Sequence, residues 1–273
     1  MCETAGYHPQ PEGSSMDRLY YLTDEQFEQI NRLLPPEEGR RGRPPTVKNR
    51  EALEGVLHVL RTGTPWRDLP NAYGPWHTIY MRWQRWIARG VWGEILKLLQ
   101  RLKGVDLTIV FLDSTVVRAH QHAAGAAQKK GDQAIGRSRG GLTTKIHAVC
   151  ASEADAVAIR ITAGQVGDAP VGEALIDALD PRAGIQYAAM DKAYDSNAIR
   201  AQLDAKGITP VIPPKSNRLE MIVYDQERYK QRNKVERLFN KIKQFRRVAT
   251  RYEKLKANFL AFVILALIVI MLR

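Results

Sequence analysis

VDLTIVFLD, residues 105–113, is where the chain changes its period. Upstream, apolar residues recur every three or four positions. Here a short β-branched run ends on an aspartate, which reads as a strand. LTTKIHAVC (142–150) and DAVAIRITAG (155–164) follow with apolar and polar residues alternating, so three successive strands are expected. Asp168 and Pro170 open a helix through Leu179, and IQYAAM (185–190) forms a fourth strand. Ser196 caps a helix that stops at Gly207, TPVI (209–212) forms a fifth strand, and a long basic helix closes the series. The order βββαβαβα implies an α/β domain with a mixed sheet over residues 105–273. No fixed-period repeat is present.

Upstream, Thr23 precedes DEQFEQINRLL as an N-cap, and Phe27, Ile30 and Leu34 share a face of a helix that ends at Pro35. A second helix, about 48–62, carries Leu53, Val56, Leu57 and Leu60 as its stripe and is closed by Gly63 and Pro65. Further helices at about 76–89 and 91–102 complete a small helical domain over 22–104, with a helix-turn-helix-like pair that could reach a DNA groove. All five tryptophans lie between Trp66 and Trp92, and Trp76, Tyr80, Trp83 and Ile87 recur at helical spacing. Core packing is favoured for them over base stacking. Residues 1–21 read as a flexible leader, with Met16 as an alternative start and no signal-peptide pattern.

Charge narrows the partners. Lys and Arg number 41 against 29 acids, a net of +12, which points to a polyanion. Two cysteines, Cys2 and Cys150, are too few for a disulfide framework and fit a reducing, cytoplasmic setting. FLAFVILALIVIML, residues 259–272, is wholly apolar but short of the roughly 18–20 residues that span a bilayer. A buried terminal helix is expected, and no membrane partner.

Two basic segments invite a DNA reading. Arg41-Gly-Arg43-Pro44 has the composition of a minor-groove arm, and equally of a solvated linker. The loop HQHAAGAAQKKGDQAIGRSRGG (120–141) carries Lys129, Lys130, Arg137 and Arg139 and suits phosphate tracking, although it has no P-loop arrangement. His120 and His122 lack the company a zinc site needs.

Two aspartates follow apolar strands, Asp113 and Asp191, at the strand ends where α/β sheets display site residues. Either alone is also an ordinary turn residue. In YKQRNKVERLFNKIK (229–243), six cations surround one acid, Glu236. On a continuous helix, with Tyr229 at zero, Arg232, Glu236 and Lys243 fall at about −60°, −20° and −40°, one narrow stripe. Val235, Leu238 and Ile242 occupy a separate face. Glu236 could also merely pair with Arg232 one turn away.

An aspartate on the first strand, another after the fourth and a glutamate on the last helix follow the order of the ribonuclease-H-like nucleic-acid enzymes. DSTVVRAHQHAAGA (113–126), AAMDKAYDS (188–196) and the spacing Tyr229-x2-Arg232-x3-Glu236-x6-Lys243 resemble the DDE transposases of bacterial insertion sequences, of the IS-four and IS-five type. The resemblance runs from near Leu22 through the apolar C-terminal segment. It implies a ribonuclease-H-like fold and Asp113, Asp191 and Glu236 as catalytic, metal-holding carboxylates. Tyr229, Arg232 and Lys243 would contact DNA near the cleaved end. The implied cofactor is Mg²⁺, with Mn²⁺ as a substitute, as two ions. The implied activity is cleavage at terminal inverted repeats and joining of 3′ hydroxyls to target DNA, with double-stranded DNA as partner and a homodimer or larger assembly at synapsis. A nuclease without strand transfer and a catalytically silent DNA-binding regulator are the alternative readings.

Overall fold

The computed structural model describes residues 22–37, 46–124 and 131–272. The expected leader, Arg41, Arg43, Lys129 and Lys130 lie outside them. Four helices come first: α1 (Asp24–Asn31), α2 (Asn49–Thr62), α3 (Trp76–Ala88) and α4 (Val91–Leu102). Thr23 caps α1 as expected, accepting from the Gln26 amide at 3.2 Å while Gln26 Oε1 accepts from the Thr23 amide at 3.1 Å. Gly63 ends α2 at φ 74°, a left-handed conformation that suits glycine.

The second part contains β1 (Ile109–Ala119), β2 (Gly136–Ser138), β3 (Gly141–Cys150), β4 (Ala156–Ala163), α5 (Asp168–Asp177), β5 (Tyr187–Met190), α6 (Asn197–Ala205) and β6 (Thr209–Val211). It ends with α7 (Gln226–Lys230), α8 (Asn233–Lys243), α9 (Arg246–Ala249), β7 (Thr250–Arg251) and α10 (Lys256–Met271). β1, β3 and β4 run antiparallel in sequence, while β5 and β6 join the other side of β1 in parallel. The expected mixed sheet is present, with β2 and β7 as short additions beside β3 and β1.

Alternation along β1 divides the sheet into two faces. Phe111 and Val117 point into a core shared with α8 and α10, whereas Val110 and Leu112 point into a second core under α5 and α6. α10 also packs on α3 and α4, and Trp83 stacks against Phe262 at 4.8 Å. Of the stripe, Trp83 is buried and Trp76 and Ile87 pack partly buried against the core, while Trp86 and Trp92 are buried beside them. The apolar C-terminal run is buried as expected, and among the described residues no helix is long and apolar enough to cross a membrane.

Two local expectations are corrected. Asp113 does not end its strand: β1 continues through Arg118, each residue from Ser114 onward facing a partner on β3. β-Branched Thr115, Val116 and Val117 favour that extension. The basic helix is also not continuous. Between α7 and α8 the chain tightens, with Arg232, Lys234 and Val235 amides each bonding three residues back, to Tyr229, Gln231 and Arg232.

Candidate active site

Asp113 lies on the α8 face of β1, on the same side as Phe111 and Thr115. Leu112 pairs with Met190, the last residue of β5, so the next residues on the two parallel strands are Asp113 and Asp191. Asp191 leads into a short turn over Lys192–Tyr194, where its carboxylate accepts from the Ala193 amide at 3.2 Å.

Asp113 Oδ1 accepts from the Ser114 amide at 2.7 Å and Oδ2 from Arg232 Nη1 at 2.6 Å. Burial raises the Asp113 pKa above the usual carboxylate range; Ser114 and Arg232 pull the other way, and the charge of Asp191 adds to the rise. The second guanidinium nitrogen of Arg232 holds Glu236 Oε1 at 2.6 Å. Burial alone would lower the Arg232 pKa, but Asp113 and Glu236 outweigh it and the net shift is upward. Tyr229 lies beside this guanidinium, with its ring centroid 5.9 Å away. Lys243, half-buried, donates to Thr115 Oγ1 at 2.6 Å and to the Val116 carbonyl at 3.2 Å.

Arg232 therefore bridges Asp113 and Glu236, with Asp191 at the adjoining register position, Tyr229 beside the guanidinium and Lys243 bonded to Thr115 two residues along β1 from Asp113. The one-turn pairing of Arg232 with Glu236 is present, and Asp113 joins the same cation. Arg137 and Arg139 are elsewhere. They are exposed on the β2–β3 hairpin, across β3 from the Arg118 end of β1, itself five residues or roughly 17 Å along that strand from Asp113.

The donor set suits a hard cation, since its ligands would be carboxylate oxygens. Arg232 already supplies positive charge between two of them. Among the described residues no group of three His, Cys, Asp or Glu is arranged to hold a metal. Arg232 would have to release Asp113 or Glu236 before those oxygens could meet an ion.

Residues 226–256 hold twelve Lys and Arg against three acids, which suggests a continuous DNA-facing surface. The fold corrects that: Arg247 and Arg251 are buried. Arg247 pairs with Glu253 at 2.7 Å and donates to the Gly63 carbonyl, while Arg251 donates to carbonyls of Ala134 and Glu253. Sequence reasoning also passed over Lys145, His147 and Tyr194, and took Asp168 only as a helix start. Each has a plain strand or turn reading, and only the fold brings them together behind Asp113.

Residues 105–272 match the family described as a transposase DDE domain, more than half of the chain. The chain belongs to the DDE transposases. Residues 22–96 match a second family, described as a putative transposase of the IS4/5 family, which places the protein in the IS4/IS5 type. A putative transposase for insertion sequence element IS6501 of Brucella ovis is 35% identical over 133 residues, 48% of this chain and 100% of that protein. An uncharacterized 16.2 kDa protein of insertion element IS402 from Burkholderia cepacia is 40% identical over 40% of this chain and 78% of its own length. The uncharacterized protein y4sN of Sinorhizobium fredii is 44% identical over 40% of this chain and 86% of its own length. Among solved structures, a Mos1 transposase paired-end complex with left transposon end aligns over 75% of this chain and 80% of that one, at 14% identity and a TM-score of 0.27, too distant to bear on the site. With the DDE family established, the mixed sheet is the ribonuclease-H-like one. The transposase is a DNA-acting enzyme of a class that generally depends on divalent metal.

Proposed function

We propose that this transposase cleaves DNA at the terminal inverted repeats of its insertion sequence and joins the freed 3′ hydroxyls to target DNA. In this reading Asp113, Asp191 and Glu236 are the catalytic carboxylates. The observation that carries it is the meeting of Asp113 and Glu236 on one cation, with Asp191 at the neighbouring register position.

Asp113, Asp191 and Glu236 would hold Mg²⁺, or Mn²⁺ in its place, as two ions. When bound, such ions supply an activated water and neutralise charge on the phosphoryl group in flight. The chain's own part is to present the carboxylates and to position the DNA. Arg232, once it releases a carboxylate, turns its planar fork to a phosphate, for which it is well shaped. Tyr229 and Lys243 flank the same path, and Arg137 and Arg139 extend it along the hairpin. Arg41, Arg43, Lys129 and Lys130 belong to the same proposed DNA-contact set. Residues 22–104 form the unit that reads the transposon ends, residues 105–273 the catalytic unit, and two copies meet when the ends are paired.

The test uses DNA carrying the sequences that flank the gene. Asp113→Asn, Asp191→Asn and Glu236→Gln should each abolish metal-dependent cleavage and joining while end binding persists. Wild-type rates in all three variants would overturn the assignment.

A further inference from the structure

Behind β1, on the α5 side of the sheet, lies a polar cluster that the proposed chemistry does not use. Ser114 turns its hydroxyl to that side and donates to Asp168 Oδ1 at 2.8 Å. The same oxygen accepts from Lys145 Nζ at 2.9 Å, and Lys145 also donates to the Val166 carbonyl at 2.9 Å. His147 faces Ser114 in register, bonds Thr162 Oγ1 through Nε2 at 2.8 Å, and leaves Nδ1 3.8 Å from Asp168. Tyr194 enters from the turn that begins at Asp191; its hydroxyl is buried without a hydrogen bond, and burial pushes its pKa up, with Asp168, Asp113 and Asp191 adding to the rise and Ser114 pulling the other way. Gly172 on α5 leaves room for that ring, since a Cβ there would stand 2.7 Å from Tyr194 Cδ1.

Buried polar groups with incomplete partners cost stability, so packing alone is a poor reason for this cluster. Its connection to the other face runs through the backbone. The Ser114 amide donates to Asp113 at 2.7 Å, so anchoring the Ser114 side chain fixes the direction in which that amide points. Tyr194, sealed under α5, anchors the turn whose Ala193 amide holds Asp191 at 3.2 Å.

We propose that Asp168 is a positioning residue which, through Ser114, sets the direction of Asp113, while the α5 helix it opens packs on Tyr194 and holds the turn that carries Asp191. This rests on the assignment of those two aspartates as metal-holding carboxylates. Residues that orient ligands commonly change metal affinity by roughly 10- to 100-fold when removed.

The measurement is Mn²⁺ binding to the full chain by isothermal titration calorimetry, with thermal unfolding as a check on folding. Ser114→Ala and Asp168→Ala should each weaken Mn²⁺ binding by about tenfold or more. Ser114→Thr, which keeps a hydroxyl and suits a strand, should stay within about twofold of the parent. If Asp168→Ala does not fold, the Ser114 pair decides alone. Parental Mn²⁺ affinity in Ser114→Ala, or an equal loss in Ser114→Thr, overturns the positioning role. Asp113→Asn separates the two layers: if it binds Mn²⁺ like the parent, the carboxylate assignment fails and this proposal with it. If Asp113→Asn loses binding and Ser114→Ala does not, only the positioning role fails.

Discussion

Asp113 accepts a 2.6 Å hydrogen bond from Arg232, a residue 119 positions further along the chain. Because Arg232 also holds Glu236, one side chain neutralises two carboxylates from different elements. Arg232→Ala leaves Asp113, largely buried, without its counter-charge, and should cost about 1–3 kcal/mol at pH 7 after allowance for solvent screening. Losing the guanidinium raises the Asp113 pKa further. A carboxyl with a raised folded-state pKa favours folding at low pH and loses that contribution as pH rises. The deficit should therefore be small near pH 4 and full by pH 7. Arg232→Lys keeps the charge but not the fork, and should recover part of the loss. Urea unfolding of the three proteins across this range measures it; a deficit independent of pH would contradict the pairing.

Lys243 ties α8 to β1 through Thr115 and Val116. Burial pulls its pKa below the usual lysine range. Lys243→Met removes both bonds and should cost about 1–2 kcal/mol in denaturant unfolding. If Lys243 also meets a phosphate in the complex, the slope of log affinity against log salt for end binding should shrink by about 1. An unchanged slope beside a lowered stability would leave Lys243 as a tether and nothing more.

Much of this architecture is legible from local rules. Gly63 stops α2 where expected, Thr23 and Ser196 cap their helices, and α3 and α4 occupy nearly the spans their periodicity indicates. The acids and the Tyr-Arg-Glu-Lys spacing point to β1, the end of β5 and the α7–α8 segment, which the fold sets side by side. What stayed hidden was set by tertiary contact. No glycine or proline marks the break between α7 and α8, so the sequence reads as one helix there. The length of β1 beyond Asp113 depends on its partner β3, which a single-strand pattern does not contain. Arg247 and Arg251 look like DNA-facing cations until the fold buries them against Glu253 and nearby carbonyls. Lys145, His147 and Asp168 gain meaning only once α5 lies across β3.

His147 supplies a pH signature on the other face of the sheet. It is 0% exposed, and burial pushes its pKa down to about 4, against the pull of Asp168 and with a small push from Lys145. In the unfolded chain the same ring titrates near its ordinary value of about 6.5. The folded-state pKa is therefore depressed. Its stabilising contribution is complete above about pH 6.5 and is lost as pH falls towards 4, because the unfolded chain gains the proton first. By pH 5 the loss from this residue should be about 2 kcal/mol. His147→Gln keeps an amide for Thr162 and carries no titrating group, so its stability should decline less between pH 7 and 5 than the parent's. His58, whose pKa burial also lowers, titrates in both proteins and cancels from the difference. Parallel urea-unfolding curves for parent and variant over that range would show that His147 is not held neutral by its burial.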